Sequence, residues 1–177
     1  GIGNLARLAG DARWTRPESL HLTLAFLGDV AQGRLAAVQT AADRASLTQP
    51  AFRLALGGSG AFPSWDRPRA LWLGVSAGGE ELSRLHAALR AELAAGGIRL
   101  EERPFHPHLT LCRVSPRAPA PSREAVERWS GSVNWARAAA TVDGLLLMSS
   151  RLDRAGPDYS VVSRHRLPRE RESSPQD

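Results

Sequence analysis

Residues 19–27, SLHLTLAFL, alternate polar and apolar side chains with a period of two, which predicts a strand closed by Gly28. Asp29 is placed to cap a helix over about 30–46, with Leu35, Val38, Ala42 and Ala45 near helical spacing and Pro50 just beyond its end. Residues 52–56 alternate again as a strand, and Gly57-Gly58-Ser59-Gly60 reads as a turn or bulge. The run ALWLGV (70–75) is apolar enough for a central strand. Gly78-Gly79 opens a helix over 80–95, with Leu82, Leu85, Leu89 and Leu93 on one stripe and Gly96-Gly97 as its stop. A second alternating segment covers 105–114, and a Pro-rich loop, SPRAPAPS, leads to a short helix over 122–130. Two further strands follow, 138–149 and 158–162 extending toward Leu167, joined by a turn at 154–157. Residues 1–10 resemble the end of a helix, and the charged tail from Pro168 has no apolar pattern and is expected to be disordered. This order predicts an α+β fold: a single domain over 1–167 with a 168–177 tail, each half of the chain carrying one alternating strand.

Composition narrows the setting. A chain of 177 residues, 42% hydrophobic, suits one domain, and buries roughly 70% of its unfolded surface. A lone Cys112 rules out an intrachain disulfide and favours a reducing compartment. Nothing approaches the roughly 20 apolar residues of a membrane span, and GIGNLARLAGDARW lacks the pattern of a signal peptide. A cytoplasmic protein is the expectation, monomeric by default. The net charge is +5, and all 23 basic residues are arginine. Arginine suits phosphate, although abundant Ala, Arg, Gly and Pro also fit a GC-rich coding sequence, so charge adds only weak support for an RNA partner.

The chemistry lies in a repeat. His-Leu-Thr-Leu occurs at 21–24 and again at 108–111, in the settings SLHLTLAFLG and PFHPHLTLCR, although the chain has only five histidines. On a strand, i and i+2 share a face, so each copy presents an imidazole beside a hydroxyl. Two such strands facing each other would surround one anionic group with His21, His108, Thr23 and Thr110. Histidine titrates near neutrality, so one ring can act as base while the other acts as acid. Hydroxyls two residues on can hold a phosphate in line. A metal site built from His21, His106 and His108 is the competing arrangement. Pro107 interrupts that strand, and no carboxylate completes the ligand set, so no metal and no cofactor are expected.

With the longer contexts RWTRPESLHLTLAFLGDV and PFHPHLTLCRV, and the late segment LLLMSSRLDRAGPDYSVV, the chain resembles the two-histidine (2H) phosphoesterases. Within them it is most similar to the RNA 2′,3′-cyclic phosphodiesterase branch, historically named 2′-5′ RNA ligase. The resemblance covers about residues 5–167. It implies a bilobal α+β fold, with two antiparallel sheets flanking a central cleft, pseudo-twofold symmetry and helices outside. It also implies a reaction that opens a 2′,3′-cyclic phosphate at an RNA end, or on a small cyclic nucleotide, to leave a 2′-phosphate. His21 then corresponds to the acid that protonates the departing 3′ oxygen, and His108 to the base that activates water. Thr23 and Thr110 would hold the phosphate, and Arg113 matches a family arginine. Relatives usually begin with one more strand than is seen before residue 9, so an N-terminal strand is expected to be missing. Simple alternation puts Arg113 on the face opposite His108, and Cys112 on the histidine face as a buried thiol. Phe26 and Phe105 flank the motifs and could stack a base, with core packing as the default; Trp72 carries the same two possibilities. His86 and His165 read as surface or boundary residues. The alternative function is a non-catalytic RNA- or nucleotide-binding module on the same fold.

Overall fold

Alternating apolar segments condense into a five-stranded sheet of order β1–β4–β3–β2–β5, from β1 (Arg13–Trp14), β2 (Phe52–Phe62), β3 (Ala70–Ala77), β4 (Leu109–Arg113) and β5 (Ala140–Val142). The β1–β4, β4–β3 and β3–β2 pairs are antiparallel. A second antiparallel sheet is the hairpin of β6 (Gly144–Asp153) and β7 (Gly156–Arg166). The described helices are α1 (Leu35–Ser46), α2 (Gly79–Ala95) and α3 (Arg123–Ser132). This is the α+β class expected from the sequence. The source is a computed structural model that describes residues 12–115, 121–135, 139–153 and 156–169, the side chains of 152, 153, 156 and 157 excepted. The predicted helix end over 1–10, the tail from 170 and the turn residues Arg154 and Ala155 lie outside the described residues.

The chain divides into two compact units. The first gathers Gly1–Leu24, Leu54–Gly79 and His106–Ala140; the second gathers Ala25–Arg53, Glu80–Phe105 and Thr141–Asp177. In the first, Leu71, Leu73, Leu111, Cys112 and Val114 turn to one side of the sheet and meet Val126 and Trp129 of α3. That helix starts where Ser122 accepts a hydrogen bond from the Ala125 N–H, satisfying one of the unpaired amides of its first turn.

In the second unit, α2 buries the leucine stripe anticipated from its spacing. Its end is a Schellman motif: the Ile98 N–H donates to the Leu93 carbonyl, the Gly97 N–H to that of Ala94, and Gly97 takes φ +73°. The Arg34 guanidinium donates to the Gly96 carbonyl at 2.6 Å, placing a cation at the negative end of the helix. Helix α1 packs on β6 and β7 through Val38, Ala41, Ala42 and Ala45. His165, read from the sequence as a surface or boundary residue, is 4% exposed. Its Nδ1 meets Asp43 Oδ1 at 2.6 Å and its Nε2 meets Ser163 Oγ at 2.8 Å, tying β7 to α1. Burial is possible because both ring nitrogens have partners.

Several predicted boundaries move. Segment 19–27 is not a continuous strand: Leu22 alone forms a bridge, to Leu109. The outer edge of β4 is already shared, with β1 on Cys112 and Arg113 and the Thr15 N–H bonded to the Leu111 carbonyl at 2.8 Å. Only Leu109 remains for the motif. Asp29 caps nothing; a 3-10 turn (Gln32–Arg34) leads into α1, and neither start has a side-chain cap. Of the two readings of 57–60, turn or bulge, the structure has the second: the stretch lies within β2, whose register on β3 shifts between Leu56 and Ser59. The segment predicted over 138–149 breaks at Asp143 into β5 and β6. Pro168, assigned to the tail, accepts a backbone hydrogen bond from Ala51 at 2.8 Å. No described helix is long and apolar enough to cross a membrane.

Candidate active site

Both motifs lie in the first unit, side by side and not on opposing strands as the sequence suggested. The antiparallel Leu22–Leu109 bridge sets His21 across from Thr110 and Thr23 across from His108. Alternation puts these four side chains on one face and the two leucines on the other, where Leu109 packs on the core. Pro107 has no N–H to give the ladder, so regular pairing begins at Leu109, and His108 sits at the mouth of β4.

The two histidines are anchored identically. His21 Nδ1 lies 2.7 Å from the Ser19 carbonyl, and His108 Nδ1 lies 2.6 Å from the His106 carbonyl. A carbonyl only accepts, so each Nδ1 carries the hydrogen, and Nε2 is the acceptor nitrogen of each neutral ring. This i−2 anchoring repeats along with the tetrapeptide. A backbone carbonyl leaves no residue signature, so the sequence carries only the shared polar spacing as a trace of this anchoring. His106 contributes its carbonyl to this anchoring. Among the described residues no three His, Cys, Asp or Glu side chains gather with metal-site geometry.

Surroundings differ between the two rings. His21 and Thr23 are exposed, whereas His108 and Thr110 are half-buried. The His108 ring meets Phe62 edge-on at 4.9 Å and Trp72 at 5.9 Å, and Phe62 and Trp72 pack at 5.2 Å. Trp72 pairs with Thr110 and with Gly60, and a Cβ on Gly60 would overlap the indole Cζ2 and Cη2. Gly60, read as part of a turn or bulge, therefore makes room for the aromatic wall behind His108.

Arg113 and Cys112 exchange the faces that alternation assigned them. Trp72 pairs with Thr110 and Leu71 with Cys112, leaving Leu111 as an extra residue, a β-bulge. Leu111 and Cys112 both turn into the core. Arg113 then pairs with Ala70, two residues from Trp72, and emerges exposed on the face of Thr110 and His108. Burial pushes the Cys112 thiol up to about 11, against a smaller opposing effect of its hydrogen bond with the Leu71 backbone.

The remaining candidates belong to the second unit. Phe26 is 84% exposed, against the core-packing default. Phe105 has one ring face covered by His86, stacked at 4.0 Å and 7°. Burial, and then the Arg90 charge, lowers the His86 pKa.

Known proteins resemble this chain in sequence and in fold. An RNA 2′,3′-cyclic phosphodiesterase of Aeropyrum pernix is 34% identical over 168 residues, 91% of this chain and 93% of its own. The Escherichia coli protein of the same name is 35% identical over 150 residues, 85% of this chain and 77% of its own. The crystal structure of E. coli LigT complexed with 3′-AMP superposes with a TM-score of 0.70 at 30% identity, covering 94% of this chain and 88% of that one. The family model for the 2′-5′ RNA ligase superfamily matches residues 4–154, which takes in both tetrapeptides, the aromatic wall and strand β6. By sequence and by fold, the chain belongs to the 2′-5′ RNA ligase superfamily.

Proposed function

We propose that this protein is an RNA 2′,3′-cyclic phosphodiesterase that opens the cyclic phosphate at an RNA end to a 2′-phosphate by two-histidine acid/base catalysis. One observation carries the reading: two imidazoles flank the Leu22–Leu109 bridge on one face, each with Nδ1 tied to a carbonyl and Nε2 left as the acceptor nitrogen of the neutral ring. The names of the curated relatives support the substrate class.

With the cyclic phosphate between the rings, neutral His108 takes a proton from water at Nε2 as the water oxygen attacks phosphorus. The bond from phosphorus to the 3′ oxygen breaks, and His21, protonated at Nε2, delivers its proton to that oxygen. The family resemblance makes this assignment of acid and base. Thr23 and Thr110 hydroxyls donate to the non-bridging oxygens and hold the group in line. Arg113, on the same face, supplies positive charge beside the phosphate. Every proton has a side-chain carrier, so the scheme calls for no metal.

The test is hydrolysis of a nucleoside 2′,3′-cyclic phosphate in EDTA, with 2′- and 3′-monophosphates separated. The expected product is the 2′-monophosphate, formed at an undiminished rate under chelation. His21→Ala and His108→Ala should each lower turnover by on the order of 10² to 10⁴ while retaining ligand affinity. A folded wild-type protein that binds the nucleotide without turnover would be a binding module instead.

A further inference from the structure

Filling space does not by itself account for Trp72. Its Nε1 is buried and has no hydrogen-bond partner among the described residues. A buried N–H without an acceptor is costly, and a phenylalanine or leucine would avoid that cost. The indole lies across Gly60, its cross-strand partner on β2, and on the other side Trp72 pairs with Thr110 of β4. His108, two residues before Thr110, is therefore a diagonal neighbour, and diagonal neighbours are within reach of an aromatic ring. The indole and imidazole centroids are 5.9 Å apart. Phe62, two residues beyond Gly60 on the same strand, closes a triangle, 5.2 Å from the indole and 4.9 Å from the imidazole, which it meets at 79°. His108 needs this support more than a residue inside a ladder would. It precedes β4, and Pro107 before it has no N–H to give. The bond from Nδ1 to the His106 carbonyl spans two residues, so it moves with this segment and fixes one edge of the ring. The two aromatic contacts fix the tilt of its plane.

We propose that Trp72, with Phe62, is a positioning residue for His108, holding the imidazole in the plane that keeps Nδ1 on the His106 carbonyl and aims Nε2 at the attacking water. The consequence for turnover rests on the phosphodiesterase reading; the consequence for the ring does not. Trp72 itself touches no substrate and carries no proton.

The experiment compares wild type with Trp72→Leu, Trp72→Phe and Phe62→Leu, each checked for folding by circular dichroism melting. Two-bond ¹H–¹⁵N correlation spectra near pH 8.5, where an ordinary histidine is neutral, report the tautomer of each ring. His21→Ala and His108→Ala assign the signals. Wild type should show both rings as Nδ1–H tautomers. Trp72→Leu should turn His108 into a mixture of tautomers and leave His21 unchanged, a difference that a general loss of packing would not produce. On uridine 2′,3′-cyclic phosphate, Trp72→Leu should lower kcat about tenfold and leave KM within about twofold, because a displaced base weakens the transition state and not binding. Trp72→Phe, which keeps a ring beside His108, should restore most of the rate. An unchanged His108 tautomer in folded Trp72→Leu would overturn the proposal. So would a raised KM at unchanged kcat, the mark of a ring that stacks on the substrate base. If Trp72→Leu does not fold, Phe62→Leu decides: a tautomer mixture at His108 alone upholds the positioning role, and a pure Nδ1–H signal removes it. If wild type hydrolyses nothing, the phosphodiesterase reading fails on its own, and the spectra still decide whether the aromatic pair positions the ring.

Discussion

Single atoms decide what the motif residues can do. Anchoring Nδ1 on a carbonyl fixes the tautomer of both histidines, so the repeat matters for where it places Nε2 as much as for its side-chain types. The tetrapeptide was legible in the sequence because two histidines out of five share one context. Cys112 shows the opposite case. Its thiol is raised to about 11 by burial, so the folded protein keeps a proton that the unfolded chain, with a thiol near 9, releases. A folded pKa above the unfolded one gives a contribution that is complete below about pH 9 and is lost as pH rises toward 11. Wild type should therefore lose on the order of 2 kcal/mol across that window relative to Cys112→Ala, measured by urea denaturation at several pH values. The native thiol should also resist alkylation at pH 8 until the protein is unfolded.

At the scale of elements, periodicity served helices better than strands. The leucine stripe of α2 and its glycine stop could be read directly, because a helix satisfies its own backbone and needs only one apolar face. Alternation over 19–27 was equally clear but produced one bridge, because a strand needs an open edge and β1 occupies most of it. The bulge at Leu111 could not be read from β4 alone, since a register shift is a property of two strands. Glycine in β2 is a further instance: Gly60 is required by the indole of Trp72 and not by a turn. Gly60→Ala should cost about 1–3 kcal/mol in urea denaturation, because the new methyl displaces a packed ring. It should also lower kcat more than it raises KM, because the displaced ring is the one that holds His108.

For the whole molecule, both units depend on contacts between residues distant in sequence. The link from His165 to Asp43 and Ser163 was invisible in the sequence, where His165 sits in a polar run near the tail. Its Ser–His–Asp connectivity has the form of a nucleophilic triad, yet the ring is buried beneath α1 and serves as a tie between β7 and that helix. His165→Leu should destabilise the protein by about 1–3 kcal/mol, read as a lower urea midpoint, because Ser163 loses its partner and α1 its tether. The sequence by itself determined the α+β class, the leucine-faced helix, the four motif residues and the reaction class they suit. These depend on residue type and short-range spacing, which the chain carries wherever it folds. The tertiary structure alone decided that the motifs lie side by side, that Arg113 and Cys112 exchange faces and that Trp72 backs His108. Each of these follows from strand register, which is set when two segments far apart in the chain compete for the same hydrogen-bonding edge.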